Sequence, residues 1–376
     1  MPSTQDITER ILSGRGFEHS GTETYYYNTN ILTQDEYVSR VVQFLNRLKD
    51  EIDLYYLRQV EHGTNYEDLY YVAEQIQGSE LGEYDNPAVK PFIDKIFPDI
   101  RKLLVVKENE IEEEWQLDEL VDEAKNYIRD AVLRLLLKEP ARIDHLNILK
   151  EACLDDQFYN IDIFTLNHDT VLEKCLSQNT VQFTDGFGEP QNDVRYWDPN
   201  LFENSSSRVR LFKLHGSINW FRFRSEDGDS KRSIGIPNDR DFWHTKDLQG
   251  QLQWPEDKRP MLLVGTFNKM FDYLTSIFVD LYCQFHHSLC KIDQLIVCGY
   301  GFGDKGINNR IFEWVNSSLN HRFIIIHPDS EKLCEQTWRG ILRNNWNILV
   351  SQNKLISIPK KIENTSWQEI KECLLK

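Results

Sequence analysis

At about Asp156 the periodicity of this 376-residue chain changes, and that change constrains the fold more than any other feature. Upstream, apolar residues recur every three to four positions, as in DEYVSRVVQFLNRLKDEIDLYYL, NYEDLYYVAEQI and DELVDEAKNYIRDAVLRLLL, the spacing of helices with one buried face. Breaks fall near His62-Gly63, Gly78 to Pro87 and Glu139-Pro140. Downstream, short β-branched and aromatic runs alternate with helical stretches, the pattern of βα units around a parallel sheet. The reading is therefore α/β: a Rossmann-like doubly wound parallel sheet with a large helical insertion. Strands are expected at Ile161 to Phe164, Val209 to Leu214, Met261 to Val264, Gln294 to Cys298 and Phe323 to Ile326. Residues 1–35 read as the start of the Rossmann-like domain, 36–154 as the helical insertion and 155–376 as the main domain. Ser3 or Thr4 should cap a first helix with Ile7, Ile11 and Leu12 on one face and Gly14 as its stop. The polar stretch Arg224 to Arg259 reads as a loop-rich excursion or lid.

Three strand ends collect the polar and glycine residues, and ligands of open α/β sheets sit at the carboxyl ends of strands. The first strand runs into Thr165, Asn167 and Asp169 before a helix, where Asn167 and Asp169 are either helix caps or ligand contacts. The second ends at His215-Gly216-Ser217. A histidine there is a structural residue or a base, and the glycine beside it permits close approach to the backbone. The third opens into Gly299, Gly301, Gly303 and Gly306 ahead of a helix; such a loop is either a tight turn or a set of N–H groups offered to a phosphate. A fourth ends at His327-Pro328-Asp329, where the adenine end of a dinucleotide would be received or, on the bland reading, Asp329 or Ser330 is the N-cap of the next helix.

Composition narrows the function. A formal net charge of −17 opposes direct nucleic-acid binding by the chain alone, because duplex affinity comes largely from Lys and Arg neutralising phosphates. The seven cysteines, Cys153, Cys175, Cys283, Cys290, Cys298, Cys334 and Cys373, form no C-x-x-C pair, so no zinc ribbon and no disulfide framework is expected. The polar N-terminus and the lack of a long apolar run give a cytoplasmic protein with no export signal and no membrane partner. No cluster of carboxylates has the ligand spacing of a metal-dependent nuclease.

TLNHD, KLHGSINW and GYGFGD, in that order, resemble the sirtuin superfamily, and within it the bacterial anti-phage branch that cleaves nicotinamide adenine dinucleotide (NAD). The resemblance implies an NAD hydrolase in which Asn167 orients water and the nicotinamide ribose, Asp169 contacts the carboxamide and His215 is the general base. It implies a dinucleotide site lined by Thr165, Gly216, Ser217, Gly299, Gly301, Phe302 and Asp329. NAD would be substrate, and no zinc would be held: deacetylating sirtuins carry T-Q-N-[IV]-D and a four-cysteine module, whereas this chain has Leu166 and unpaired cysteines. The family opens with a strand and a G-A-G-x-S loop, and this chain starts at MPST, so the first strand and half of the phosphate cradle are expected to be missing. The resemblance further implies a homo-oligomer controlled by assembly and a HerA-type hexameric ATPase as partner. Its rival is a subunit that binds NAD or ADP-ribose and docks on that ATPase without cleaving either.

Overall fold

The computed structural model describes residues 1–21, 24–30, 35–56, 63–83, 86–108, 111–204, 206–225, 233–238, 242–265, 269–336 and 341–374. They form two compact units, Met1–Lys138 with Val264–Asn268, and Glu139–Leu263 with Lys269–Lys376.

The first unit is mainly helical. Helix α1 (Thr4–Ser13) starts in a capping box between Ser3 and Asp6 and stops at left-handed Gly14, two devices that satisfy the backbone groups a helix end leaves open. A short antiparallel hairpin follows, β1 (Phe17–Ser20) and β2 (Thr24–Tyr27). Then come α2 (Glu36–Tyr56), α3 (Tyr66–Glu80) and α4 (Val89–Ile100). The hairpin β3 (Val105–Glu108) and β4 (Ile111–Glu114), which helical periodicity does not anticipate, precedes α5 (Leu117–Leu136). The NYEDL stretch opens α3, where Asn65 and Asp68 cap each other. Buried residues recur at helical spacing along α2 (Val38, Val41, Leu45, Leu48, Ile52) and α5 (Leu120, Ala124, Tyr127, Ile128, Ala131). The buried Asp130 carboxylate accepts from the Tyr25 amide at 2.9 Å, tying α5 to the first hairpin. Of the expected breaks, Gly78 to Pro87 spans the end of α3 and Glu139-Pro140 follows α5; His62 lies outside the described residues.

The second unit carries the βα pattern. In chain order its elements are α6 (Asn147–Leu154), β5 (Ile161–Thr165), α7 (Val171–Gln178), β6 (Phe183–Thr184), β7 (Val194–Tyr196), α8 (Leu201–Asn204) and β8 (Val209–Lys213). Strands β9 (Phe221–Ser225), β10 (Ser233–Pro237), β11 (Thr245–Lys246) and β12 (Leu252–Pro255) follow, then α9 (Lys269–Asp272) and α10 (Ser276–Leu289). The unit finishes with β13 (Gln294–Cys298), α11 (Lys305–Ser317), β14 (Arg322–Ile326), α12 (Ser330–Gln336), α13 (Ile341–Ser351), β15 (Leu355–Ile358) and α14 (Trp367–Leu374).

Two parallel three-stranded sheets, β5-β8-β6 and β13-β14-β15, form the frame. Both are covered on two faces, as the side-chain alternation of a strand requires. On β14, Phe323 and Ile325 enter a large core with residues of α10, α11 and α13, while Ile324 and Ile326 pack with Trp367 and Ile370 of α14. On β8, Phe212 joins the large core, while Val209 and Leu211 pack with Leu176 of α7 and Cys153 of α6. The two sheets thus share one core between them and each has helices behind it, the doubly wound α/β arrangement.

Two expectations are corrected. Met261 to Val264 forms no strand; Leu262 makes one isolated antiparallel bridge, to Gly216. Of the polar stretch 224–259, residues 226–232 and 239–241 lie outside the described residues, and much of the rest is sheet. Strands β9 to β12 and β7 build a five-stranded antiparallel sheet in the order β11-β12-β9-β10-β7.

Candidate active site

The carboxyl ends of β5, β8 and β13 position the site. Strands β5 and β8 pair in parallel with Thr165 opposite Lys213, so the segments that follow leave the sheet on the same edge. Buried Thr165 turns the chain: its hydroxyl accepts from the Asn167 amide at 3.1 Å. Asn167 itself is exposed. Asp169 accepts from the Val171 amide at 3.0 Å, an Asx turn just ahead of α7, whose N-cap is Thr170 and carries no side-chain capping bond. The Asp169 carbonyl also receives the ammonium of buried Lys213, which pairs with Glu173 at 3.0 Å.

His215, two residues past β8, is buried at 4% exposure, and Asp304, beyond β13, at 7%. His215 Nε2 lies 3.0 Å from Asp304 Oδ2 and 2.7 Å from the Tyr273 hydroxyl, and that hydroxyl donates to the same Oδ2 at 2.8 Å. Asp304 divides its oxygens between two tasks. Oδ1 accepts from the Ile307 amide at 3.0 Å and caps α11, and Oδ2 holds the histidine and the phenol. Burial opposes ionisation of Asp304, but the His215 hydrogen bond and charge, Lys269 and the Ile307 amide outweigh it and hold the carboxyl well below the ordinary range. Burial and the adjacent Asp304 charge push the Tyr273 phenol well above its usual value. The phenol therefore donates to the carboxylate, and Nε2 of His215 is left to bear a proton toward the same pair.

His168, between Asn167 and Asp169, is the second imidazole of the site, its ring centre 6.2 Å from that of His215. Burial first, then the ionisable neighbours His215, Lys269 and Lys213, press it well below the ordinary histidine value, so it is neutral. A backbone hydrogen bond to Gly216 engages it, and Nδ1 is buried without a partner.

Other expected site residues sit differently. Gly216 has φ +83°, and a Cβ there would come 2.0 Å from the Met261 carbonyl oxygen. What approaches its backbone so closely is the chain itself. Fully buried Ser217 is occupied likewise: its amide donates to Met261 O at 3.2 Å and its hydroxyl to His168 O at 3.3 Å. Gly299 and Gly301 are exposed, with open space where a side chain would stand, so a ligand has room to reach their backbone. Phe302, between Gly301 and Gly303, points instead into the core, fully buried against Tyr300 and Trp346. Asp329 accepts from the Lys332 amide at 2.9 Å and caps α12, the bland alternative at that position. The positive end of α11 is likewise filled by Asp304, not left open to a phosphate.

The strand-end geometry thus assembles His215, His168, Asn167 and the glycine loop in one unit and adds Asp304, Tyr273 and Lys269, which sequence reasoning missed. Asp304 stands in the quoted GYGFGD, one residue past the last of its glycines, where an acidic residue starting a helix is the available signal. Tyr273 and Lys269 lie in a segment with no motif, and only the folded chain brings them near. No curated protein matches the chain. A family model described as a SIR2-like domain matches residues 162–350, half of the chain and all three strand-end motifs, and on that match the chain belongs to the SIR2-like family.

Proposed function

We propose that this protein is a sirtuin-like NAD hydrolase that releases nicotinamide and ADP-ribose, and that it serves anti-phage defence in the cytoplasm by depleting NAD. The observation that carries the reading is the His215–Asp304–Tyr273 triangle, in which a residue following β8 meets one following β13.

Cleavage breaks the bond between nicotinamide nitrogen and ribose C1′. The electron pair leaves with the nicotinamide, positive charge develops on the ribose, and a water oxygen adds to C1′. The water must lose a proton, and in this mechanism His215 receives it. Asp304, kept ionised, stabilises the imidazolium that forms and fixes the ring, while Tyr273 stays a neutral phenol. A positioned base of this kind contributes ~10²–10⁴-fold in rate. Exposed Asn167 is the amide available to orient water and ribose. Asp169 retains one carboxylate oxygen beyond its turn for the carboxamide, and the open backbone at Gly299 and Gly301 is where a pyrophosphate would lie. A free NAD hydrolase would poison its host, so control by homo-oligomeric assembly with a HerA-type ATPase belongs to the same proposal.

The test is nicotinamide release from NAD by the chain alone and with the candidate ATPase, for wild type and His215→Ala. Turnover that His215→Ala abolishes, with ADP-ribose binding retained, is the expected result. Absence of turnover from every wild-type preparation would overturn it and leave a nucleotide-binding assembly subunit.

A further inference from the structure

Helix α10 buries Ile277, Phe278, Leu281, Phe285 and Leu289 along one face. Its opposite face carries Cys283, His286, His287 and Cys290, all exposed; Cys290 is the helix's C-cap and keeps helical dihedrals. At 100° per residue these four side chains fall within an arc of about 100°. A solvent face of a helix ordinarily carries charged and polar residues, and cysteine is among the most buried residue types. A stripe made of two thiols and two imidazoles is therefore a chemical set and not a solubilising one.

The stripe consists of two pairs at i,i+4 spacing, Cys283 with His287 and His286 with Cys290. Cys290 Sγ lies 3.9 Å from His286 Nε2, near the roughly 3.5 Å that separates a sulfur and a nitrogen on one tetrahedral zinc ion. Among the described residues, no three His, Cys, Asp or Glu side chains converge on a common metal position. One copy thus offers an ion two ligands at a time, and a closed zinc site needs four.

The order of the ligands supplies the other two. In CQFHHSLC, residues 283–290, the ligand positions read the same in both directions. A two-fold axis lying between two copies, perpendicular to both helices at the level between His286 and His287, sets a second copy of α10 antiparallel to the first. It brings His286 and Cys290 of one copy to the height of the partner's His287 and the partner's Cys283, side by side across the contact. The reciprocal set forms at the other end of the contact.

We propose that this face of α10 is a zinc-bridged homodimer interface, with two ions each held by two cysteines and two histidines drawn equally from both copies. Binding takes the cysteines as thiolates and releases their protons to solvent. The proposal is independent of the NAD reading. It also differs from the sirtuin zinc module, whose cysteines come from one chain.

The experiment uses the full chain, reduced and freed of metal with a chelator, and follows its mass by light scattering as zinc is added. Two variants separate the half-sites: Cys283→Ser with His287→Ala, and His286→Ala with Cys290→Ser. The expected result is a doubling of mass at one zinc per chain, reversed by chelator, with the intense visible absorption of a tetrahedral thiolate site when cobalt replaces zinc. Neither variant alone pairs with zinc, but an equimolar mixture does, at one ion per pair, because the mixed pair keeps one complete site. A mass indifferent to zinc, a wild-type site that survives both variants, or a mixture that fails to pair while wild type does so would each overturn the proposal. Because all four side chains are exposed, folding of the variants is not at stake.

Discussion

Asp304 carries two tasks in one carboxylate, and substitution by Asn separates them. Asparagine remains a good N-cap, so α11 keeps the Ile307 contact made by Oδ1, while the charge facing His215 is lost. If NAD is cleaved as proposed, Asp304→Asn should lower nicotinamide release on the order of 10²-fold, with far-UV circular dichroism unchanged. His168 gives a second residue-scale outcome. Its folded pKa lies well below the ordinary value near 6.5, so below about pH 6.5 the unfolded chain binds a proton that the folded chain refuses. Stability from this group is complete above that pH and is lost as pH falls toward the folded value. Replacing His168 by Phe, which keeps a ring and removes the titration, should flatten the loss of denaturant stability between pH 7.5 and 5.5. An equal loss in both proteins would show that other groups carry it. His215 was legible in the sequence because a strand ended on it and a glycine followed. The partners it meets were not, since Tyr273 has no local pattern and Asp304 looked like the end of a glycine loop.

Element by element, the long amphipathic helices and the buried strands were readable because each repeats a period over many residues. The failures have local causes. Met261 to Val264 is as apolar as a parallel strand, but its backbone lies across Gly216, with which it makes a single bridge. Polar content made 224–259 look like loop, whereas its strands alternate one buried residue with one open one, as at Gly235 and Pro237 of β10 and Gln253 and Pro255 of β12. A sheet with one wet face needs only half its residues apolar. The glycines sort by the same geometry. Gly216→Ala would push a methyl group onto the Met261 carbonyl at a left-handed φ and should cost at least about 2 kcal/mol. Gly301→Ala meets nothing within 4 Å and should leave the denaturation midpoint nearly unchanged while weakening ADP-ribose binding. Equal destabilisation by both substitutions would show that the 299–303 loop is structural and not a ligand surface.

For the whole molecule, the net charge of −17 and the α/β class were both legible from composition and period, and the SIR2-like match covers the residues that carry the strand ends. What a single chain could not reveal is whether those ends cradle a dinucleotide, and ligand linkage addresses this without any assumption about turnover. A ligand that binds only the folded state raises global stability by RT ln(1 + [L]/Kd), about 2.7 kcal/mol at a hundredfold excess over Kd. His215→Ala removes the proposed base and leaves the glycine loop intact, so NAD should raise its unfolding temperature and be recovered uncleaved, with ADP-ribose acting on wild type in the same way. Inorganic phosphate at equal concentration should give a much smaller shift, because the site proposed at Gly299 and Gly301 recognises a pyrophosphate carried between two ribosides and not an isolated anion. Identical shifts with phosphate and ADP-ribose would mean that the loop binds anions without reading a dinucleotide, and the proposed substrate would then have to be abandoned even if the triangle around His215 is intact.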